Sequence, residues 1–336
     1  MSSQQEKLVE SNDLDQIFGL PAAEAWQALF KLLWDRFSSP LRPDIADAQT
    51  TERDSACAKL DNLLSGSAWE LWQSYEDTAP RTSEALKQFW SEQTKGKAIL
   101  ILDALSLREL PWLLEQAAQR GYIVHSQRVT GSEVPGDTTP FAKALGFGQR
   151  SNLANNSGNS AHFPGAFTEV SDLPFADCAA LIKAEPNIIF WHEWPDSEMH
   201  ELADENGYRK LAKSAAARLR SDEFWSLIEK LTTGRRLVIT ADHGYAHSGL
   251  FPDVSHREQS DYLKASFKSG RATAVEPGDK PHYWVPPLTQ IVESQHGRWE
   301  LVLGRRKWKS QGGYPSLTHG GLSLLEVAVP YIELSR

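Results

Sequence analysis

The apolar positions of the chain fall into two regimes. Up to about residue 95 they recur at helical spacing. Trp26, Leu29, Phe30, Leu33 and Phe37 share one face of a helix that begins near Pro21. Further aromatics follow at Trp69, Trp72, Phe89 and Trp90. Residues 1–95 therefore read as a helical region, packed on a larger body or offered to a partner. No chemical motif lies within them.

From Lys97 the pattern changes. Residues 98–102 are a continuous apolar run, as expected of a strand covered on both faces. Leu110, Leu113, Leu114 and Ala117 then mark a helix face, and Gly121 is placed to end that helix. Residues 122–129 read as the next strand, which completes a βαβ unit. Strands recur at 187–191 and 236–240, with a helix face at Phe224, Leu227, Ile228 and Leu231 between them. A late strand is expected at 327–332. Pro330 has no N–H to give a ladder, which places that strand at the periphery. The expected fold is α/β: a mostly parallel central sheet flanked by helices over residues 96–336. An insertion at about 251–317, rich in proline and glycine, breaks the alternation and is expected over the active-site edge.

Composition narrows the class. Hydrophobic residues at 40% and charged residues at 24% exclude a disordered chain, and 336 residues suit about two domains. The net charge of −9 argues against a general nucleic-acid coat while leaving room for a local basic patch. Two cysteines, Cys57 and Cys178, can form neither a disulfide framework nor a Cys₄ zinc site, and they fit a reducing compartment. The first residues lack an apolar signal core, and no apolar run approaches the ~18 residues of a membrane span. A cytoplasmic protein without membrane association is expected.

Open α/β sheets bind ligands at the carboxyl ends of their strands. After Leu102 comes Asp103. After Trp191 comes a polar stretch holding Asp196 and His200. After Ile239 come Asp242 and His243, and shortly before the last strand comes His319. Brought to one sheet edge, these carboxylates would raise one another's pKa unless a cation neutralised them. Mixed imidazole and carboxylate donors suit zinc or manganese better than magnesium or calcium. Six ligands are too many for one tetrahedral ion and natural for two, the usual device for displacement at phosphorus. Taken singly, each residue has a plainer reading as a helix cap or turn. His192 and His247 stand near the set but read as well as packing residues.

The stretches ILILDALSLREL, FWHEWPDSEMH, LVITADHGYAHSG and THGGLSLLEVAVPYIEL together resemble the PglZ domain, a branch of the alkaline phosphatase superfamily. The resemblance covers about 97–334 and leaves 1–95 unexplained. It implies two divalent metals, zinc first and manganese as an alternative, and a Ser or Thr nucleophile held by one of them. It implies Asp103, Asp242 and His243 as ligands on the nucleophile side, and Asp196, His200 and His319 as ligands of the second ion. The nucleophile would lie in 134–141, where Pro135-Gly-Asp-Thr138 fits the family spacing although Gly136 replaces the usual hydroxyl residue. Thr138 is the candidate and Thr139 the competitor. Thr139 before Pro140 also reads as a helix N-cap.

The resemblance further implies a metal-dependent phosphodiesterase or phosphatase acting on a nucleotide-type phosphodiester, nucleotide or oligonucleotide, as part of a bacterial phage-defence (BREX-type) or signalling system. Arg305 and Arg306, next to Lys307, are candidate substrate-binding residues. With Trp299 and Trp308 they could hold a nucleotide by charge and stacking, or they are a solvated strand end. The alternative is an assembly or sensing module of a phage-exclusion system, docking protein partners through 1–95 and having little intrinsic activity. A sulfatase fits less well, since neither cysteine follows a strand, and so does a phosphate mutase, which would use serine and a larger insertion between the early motifs.

Overall fold

The computed structural model describes residue 17 and residues 19–202, 207–250, 256–267, 271–276, 288–307 and 317–336. Trp308 lies outside the described residues.

A six-stranded sheet organises the chain. Its strands are β1 (Lys97–Leu102), β2 (Ile123–Gly131), β3 (Phe167–Ser171), β4 (Asn187–His192), β5 (Arg236–Thr240) and, last in the chain, the strand Ala328–Ser335. Across the sheet the order is β2, the last strand, β5, β1, β4, β3. β1 pairs in parallel with both β4 and β5, and β3 pairs in parallel with β4. The last strand runs antiparallel to both β5 and β2. β2 therefore points the same way as the four parallel strands, and the carboxyl ends of five strands share one edge.

The placement of the last strand corrects the expectation of a peripheral one. It lies inside the sheet, and Pro330 does not prevent this. Thr240 Oγ1 donates to Pro330 O at 2.7 Å, so the carbonyl faces β5. The N–H and C=O of one strand residue point to the same side, so the missing donor also faces β5. Ladder pairing with β5 begins only at Tyr331. No ladder bond is lost.

All six residues of β1 are buried. Their side chains alternate between two cores, as strand geometry requires. Leu100 and Leu102 enter a core that reaches the N-terminal helices, whereas Ile99 and Ile101 pack with Phe141, Trp191 and Tyr331 on the other face. Helix α1 (Ala22–Phe37) buries the five apolar residues that its spacing picks out. Trp26 meets Trp72 and Tyr75 at ring distances of 5.0 and 4.9 Å. Helix α2 (Ala46–Ser67) is less apolar and contributes charge to the interior. Its Asp54 and Asp61 are buried with Arg108 and Arg305. Asp61 also accepts from the backbone N–H of Leu324, just before the last strand. Helix α3 (Thr82–Ser91) then leads to β1.

Within the insertion, strands β6 (Ala272–Ala274), β7 (Thr289–Ser294) and β8 (Gly297–Val302) form a small antiparallel sheet with β8 in the middle; the last strand of the chain is β9. Helices α4 (Leu110–Gln119), α5 (Thr138–Ala144), α6 (Asp196–Glu201), α7 (Gly207–Arg220) and α8 (Asp222–Thr232) complete the elements used below. Among the described residues, no helix is long and apolar enough to cross a membrane.

Candidate metal centre

Three strand ends deliver the acids and His243, and His319 comes from the turn before β9. Asp103 directly follows β1. Asp196 opens α6 just beyond β4, and its backbone N–H donates to Asp103 O at 3.0 Å. Asp242 and His243 follow β5. The backbone there is tightly packed: a Cβ on Gly244 would run into the carbonyl oxygen of Leu325. That close approach explains the glycine after Asp-His.

Two groups of possible ligands result, Asp103 with Asp242 and His243, and Asp196 with His243 and His319. Within each group the donor atoms lie within 4.8 Å of one another. His243 Nε2 is 3.4 Å from Asp242 Oδ2 and 3.6 Å from Asp103 Oδ1. His319 Nε2 is 3.8 Å from Asp196 Oδ1. The rings of His243 and His319 stack at 4.2 Å. His200 stands at the rim. Its Nε2 is 3.3 Å from Asp196 Oδ2, but its side chain is 60% exposed and it belongs to neither of the tighter groups.

The chemistry of this donor set fits divalent cations. Asp242 Oδ1 accepts from the N–H groups of Ala104 and His243, each at 3.0 Å. Its other oxygen is buried without a hydrogen-bond partner, as are His243 Nε2 and Asp196 Oδ1. Orphaned buried lone pairs facing one another are costly unless something fills the space between them. Both central histidines are oriented for ligation. His243 Nδ1 lies 3.0 Å from Gly244 O, and His319 Nδ1 lies 3.2 Å from Gly136 O. A proton on each Nδ1 leaves Nε2 with its lone pair toward the carboxylates.

The electrostatics agree. Burial, then the charge of Asp242, pushes Asp103 well above the usual carboxylate range. Burial pushes Asp242 up to about 6, against the pull of the Ala104 N–H. Burial also acts on Asp196, but His200 and His319 outweigh it and hold that carboxyl down. Three carboxylates crowded in a dry site, with one arginine against them, leave negative charge for a metal centre to neutralise.

Thr138 is the first residue of α5 and is half-buried. Its hydroxyl lies 3.4 Å from both Asp103 oxygens. Thr139 is exposed. The helix begins earlier than the Thr-Pro reading expects. Asp137 occupies the N-cap position, and Pro140 falls within the first turn instead of at its start.

The cation that touches this cluster is one the sequence did not reveal. Arg150 pairs with Asp103 Oδ2 through Nη1, and its Nη2 lies 3.2 Å from Glu193 Oε1. It begins a 3₁₀ segment (Arg150–Asn156) away from any strand end, so neither motif nor periodicity marks it. Arg305, expected at the substrate, is instead buried against α2. Its guanidinium is held by Asp61 at 2.6 Å and Asp54 at 2.9 Å, because a buried cation must find carboxylates. Arg306 is exposed on a two-residue strand pair with Gly249–Leu250.

A profile of the BREX system PglZ alkaline phosphatase-like domain matches residues 150–334, more than half of the chain. The chain belongs to the PglZ family. The matched PglZ segment holds Asp196, His200, Asp242, His243 and His319, while Asp103 and Thr138 precede it. No curated protein matches. Among solved structures this PglZ chain is similar to murine ectonucleotide pyrophosphatase/phosphodiesterase 5, in an inactive form in complex with AMP. The identity is 11% and the TM-score 0.47, with 71% of this chain and 87% of that chain covered. The human counterpart gives 13% identity and a TM-score of 0.42 over the same shares.

Proposed function

We propose that this chain is a metal-dependent phosphoric ester hydrolase that cleaves nucleotide-type phosphodiesters with Thr138 as nucleophile. One observation carries the reading. A threonine hydroxyl lies 3.4 Å from the carboxylate of Asp103, which belongs to one of two adjoining Asp and His groups that contain the orphaned Asp242 Oδ2, His243 Nε2 and Asp196 Oδ1. Asp103, Asp242 and His243 would hold one ion, and Asp196 and His319, with His200 at the rim, the other. Bound Zn²⁺ or Mn²⁺ would lower the pKa of the attacking hydroxyl and neutralise charge on the leaving oxygen.

The chain's own residues do the rest. Asp103 orients the Thr138 hydroxyl toward phosphorus. The Thr138 Oγ–P bond forms as the bond to the leaving alkoxide breaks, and the proton that the hydroxyl gives up is, in the net reaction, the one that alkoxide takes up. Water then hydrolyses the phospho-threonine and returns the hydroxyl. Arg150, beside Asp103, is placed to pair with a non-bridging phosphoryl oxygen. The family's BREX description supports a role in phage defence.

The test is hydrolysis of bis-p-nitrophenyl phosphate by metal-stripped protein with Zn²⁺ or Mn²⁺ restored. Thr138→Ala should abolish turnover and Asp242→Ala should abolish both turnover and metal retention. Thr139→Ala should leave the rate near wild type. Turnover that survives in Thr138→Ala would sink the assignment.

A second reading, docking of a protein partner through 1–95, draws on the surface around Trp69. That residue is 49% exposed and lines one groove with the exposed Leu20. Partner binding lost in Trp69→Ala with hydrolysis intact would support it.

A further inference from the structure

The segment 131–137 joins β2 to Thr138 and is held from three sides. Gly131 N donates to Pro80 O, and Thr82 Oγ1 donates to Gly131 O at 2.9 Å. The Tyr75 hydroxyl donates to Ser132 O at 3.0 Å and lies 3.3 Å from Val327 O. A Cβ on Gly131 would collide with that hydroxyl, so the approach depends on glycine there. At the tip of the β7–β8 hairpin, Ser294 Oγ donates to Val134 O at 3.3 Å.

Glu133 is where these grips meet. Its side chain is only 2% exposed. Oε1 accepts from Ser83 Oγ at 2.6 Å and Oε2 from Arg81 at 3.0 Å. His296 Nε2 lies 3.6 Å from the same Oε2. Burial alone would raise this carboxyl, yet His296, Arg81 and Ser83 outweigh it and hold it down at about 2, so it stays charged. A buried charge held by two donors at the start of α3, with an imidazole of the hairpin against it, has one comfortable position. None of these contacts touches the ligand cluster, and all but the hairpin lie before the matched family segment.

We propose that Glu133 is a positioning residue: it locks the nucleophile-bearing segment to the start of α3 and to the insertion hairpin, and through it residues 1–95 set the place of the Thr138 hydroxyl. This rests on Thr138 being the nucleophile. Displacing a reacting atom by about an ångström costs on the order of 100-fold in rate. Glu133→Gln, which cannot accept at both ends, should lower kcat about 10- to 100-fold, leave KM within about twofold, and leave bound metal unchanged. Ser83→Ala should do the same more mildly, and Ser83→Thr should restore the rate.

Hydrogen exchange in a peptide covering 131–138 tests the lock without any substrate. Glu133→Gln and Ser83→Ala should both speed exchange there while the strands of the sheet stay protected. Wild-type exchange in both variants would overturn the lock, whatever the enzyme does. Faster exchange with wild-type kcat in an active enzyme would overturn the positioning role, leaving Glu133 merely structural. A wild-type chain inactive with either metal would instead overturn the hydrolase reading, and Glu133 could then position no nucleophile. An active wild type, an inactive Thr138→Ala and an unaltered Glu133→Gln would leave the hydrolase standing and reject the lock alone.

Discussion

His319 Nδ1 lies 3.2 Å from the carbonyl oxygen of Gly136. The contact ties the His-Gly-Gly turn to the loop that carries Thr138, and it directs Nε2 toward Asp196 and His243. Removing this imidazole should cost one ion and leave the other. His319→Ala is expected to retain one tightly bound Zn²⁺ where the wild type retains two, by elemental analysis. Diester turnover should fall about 1,000-fold, since one metal's charge is worth several kcal/mol in the transition state. Loss of both ions together would mean that the two groups are not separable.

Arg150 should distinguish substrates. A phosphomonoester offers three non-bridging oxygens and more charge than a diester, so a guanidinium beside Asp103 matters more to it. Arg150→Ala is expected to reduce p-nitrophenyl phosphate hydrolysis about 100-fold and bis-p-nitrophenyl phosphate hydrolysis by less than tenfold. Equal losses on both substrates would assign Arg150 to holding Asp103 alone.

Trp191 donates from Nε1 to Asp103 Oδ2 at 3.1 Å from a fully buried position in β4. A partner of this kind orients a ligand without touching the ion. Trp191→Phe keeps the ring against Phe141 and removes the donor. Metal affinity should drop about 10- to 100-fold in competition with a chelating dye, with the fold retained by circular dichroism.

The interior ion pairs should set the acid limit. Burial raises the Asp54 carboxyl, but Arg108 and Arg305 outweigh it and hold it down at about 2, below the ordinary 3.8. The folded state thus binds this proton less readily than the unfolded chain. The resulting stabilisation is present above about pH 4 and is lost as pH falls toward 2, an effect of about 2 kcal/mol. Asp54→Asn should remove that part of the pH dependence. At neutral pH it should destabilise by about 3–5 kcal/mol in urea titrations, because the Arg108 and Arg305 charges stay buried.

Much of this was legible in the chain, and for definite reasons. β1 reads as a doubly covered strand because none of its positions needs to be polar. The acids of the centre stand out because each follows a buried strand. β3 was missed, since Phe-Thr-Glu-Val-Ser is short and polar and lies at the sheet edge, where half-burial suffices. Pro330 misled because its missing donor faces β5 one residue before the ladder with β5 begins. Arg150 carried no signal in the sequence, and Arg305 carried one whose surroundings the sequence did not show. Arginines near aromatic residues look like ligand binders in a sequence, and only tertiary pairing with Asp54 and Asp61 shows that Arg305 is already spoken for.

β9 carries one last implication, about the order in which the molecule is made. Among the described residues, β2 joins the sheet only by pairing with β9. On the ribosome, residues 123–131 emerge long before 328–335, so β2 has no strand to pair with until Ala328 and its successors arrive. Pairing across such a separation is slow and comes late. Any fragment ending before Ala328 would therefore hold every residue of the centre and still lack the strand that joins β2 to the sheet.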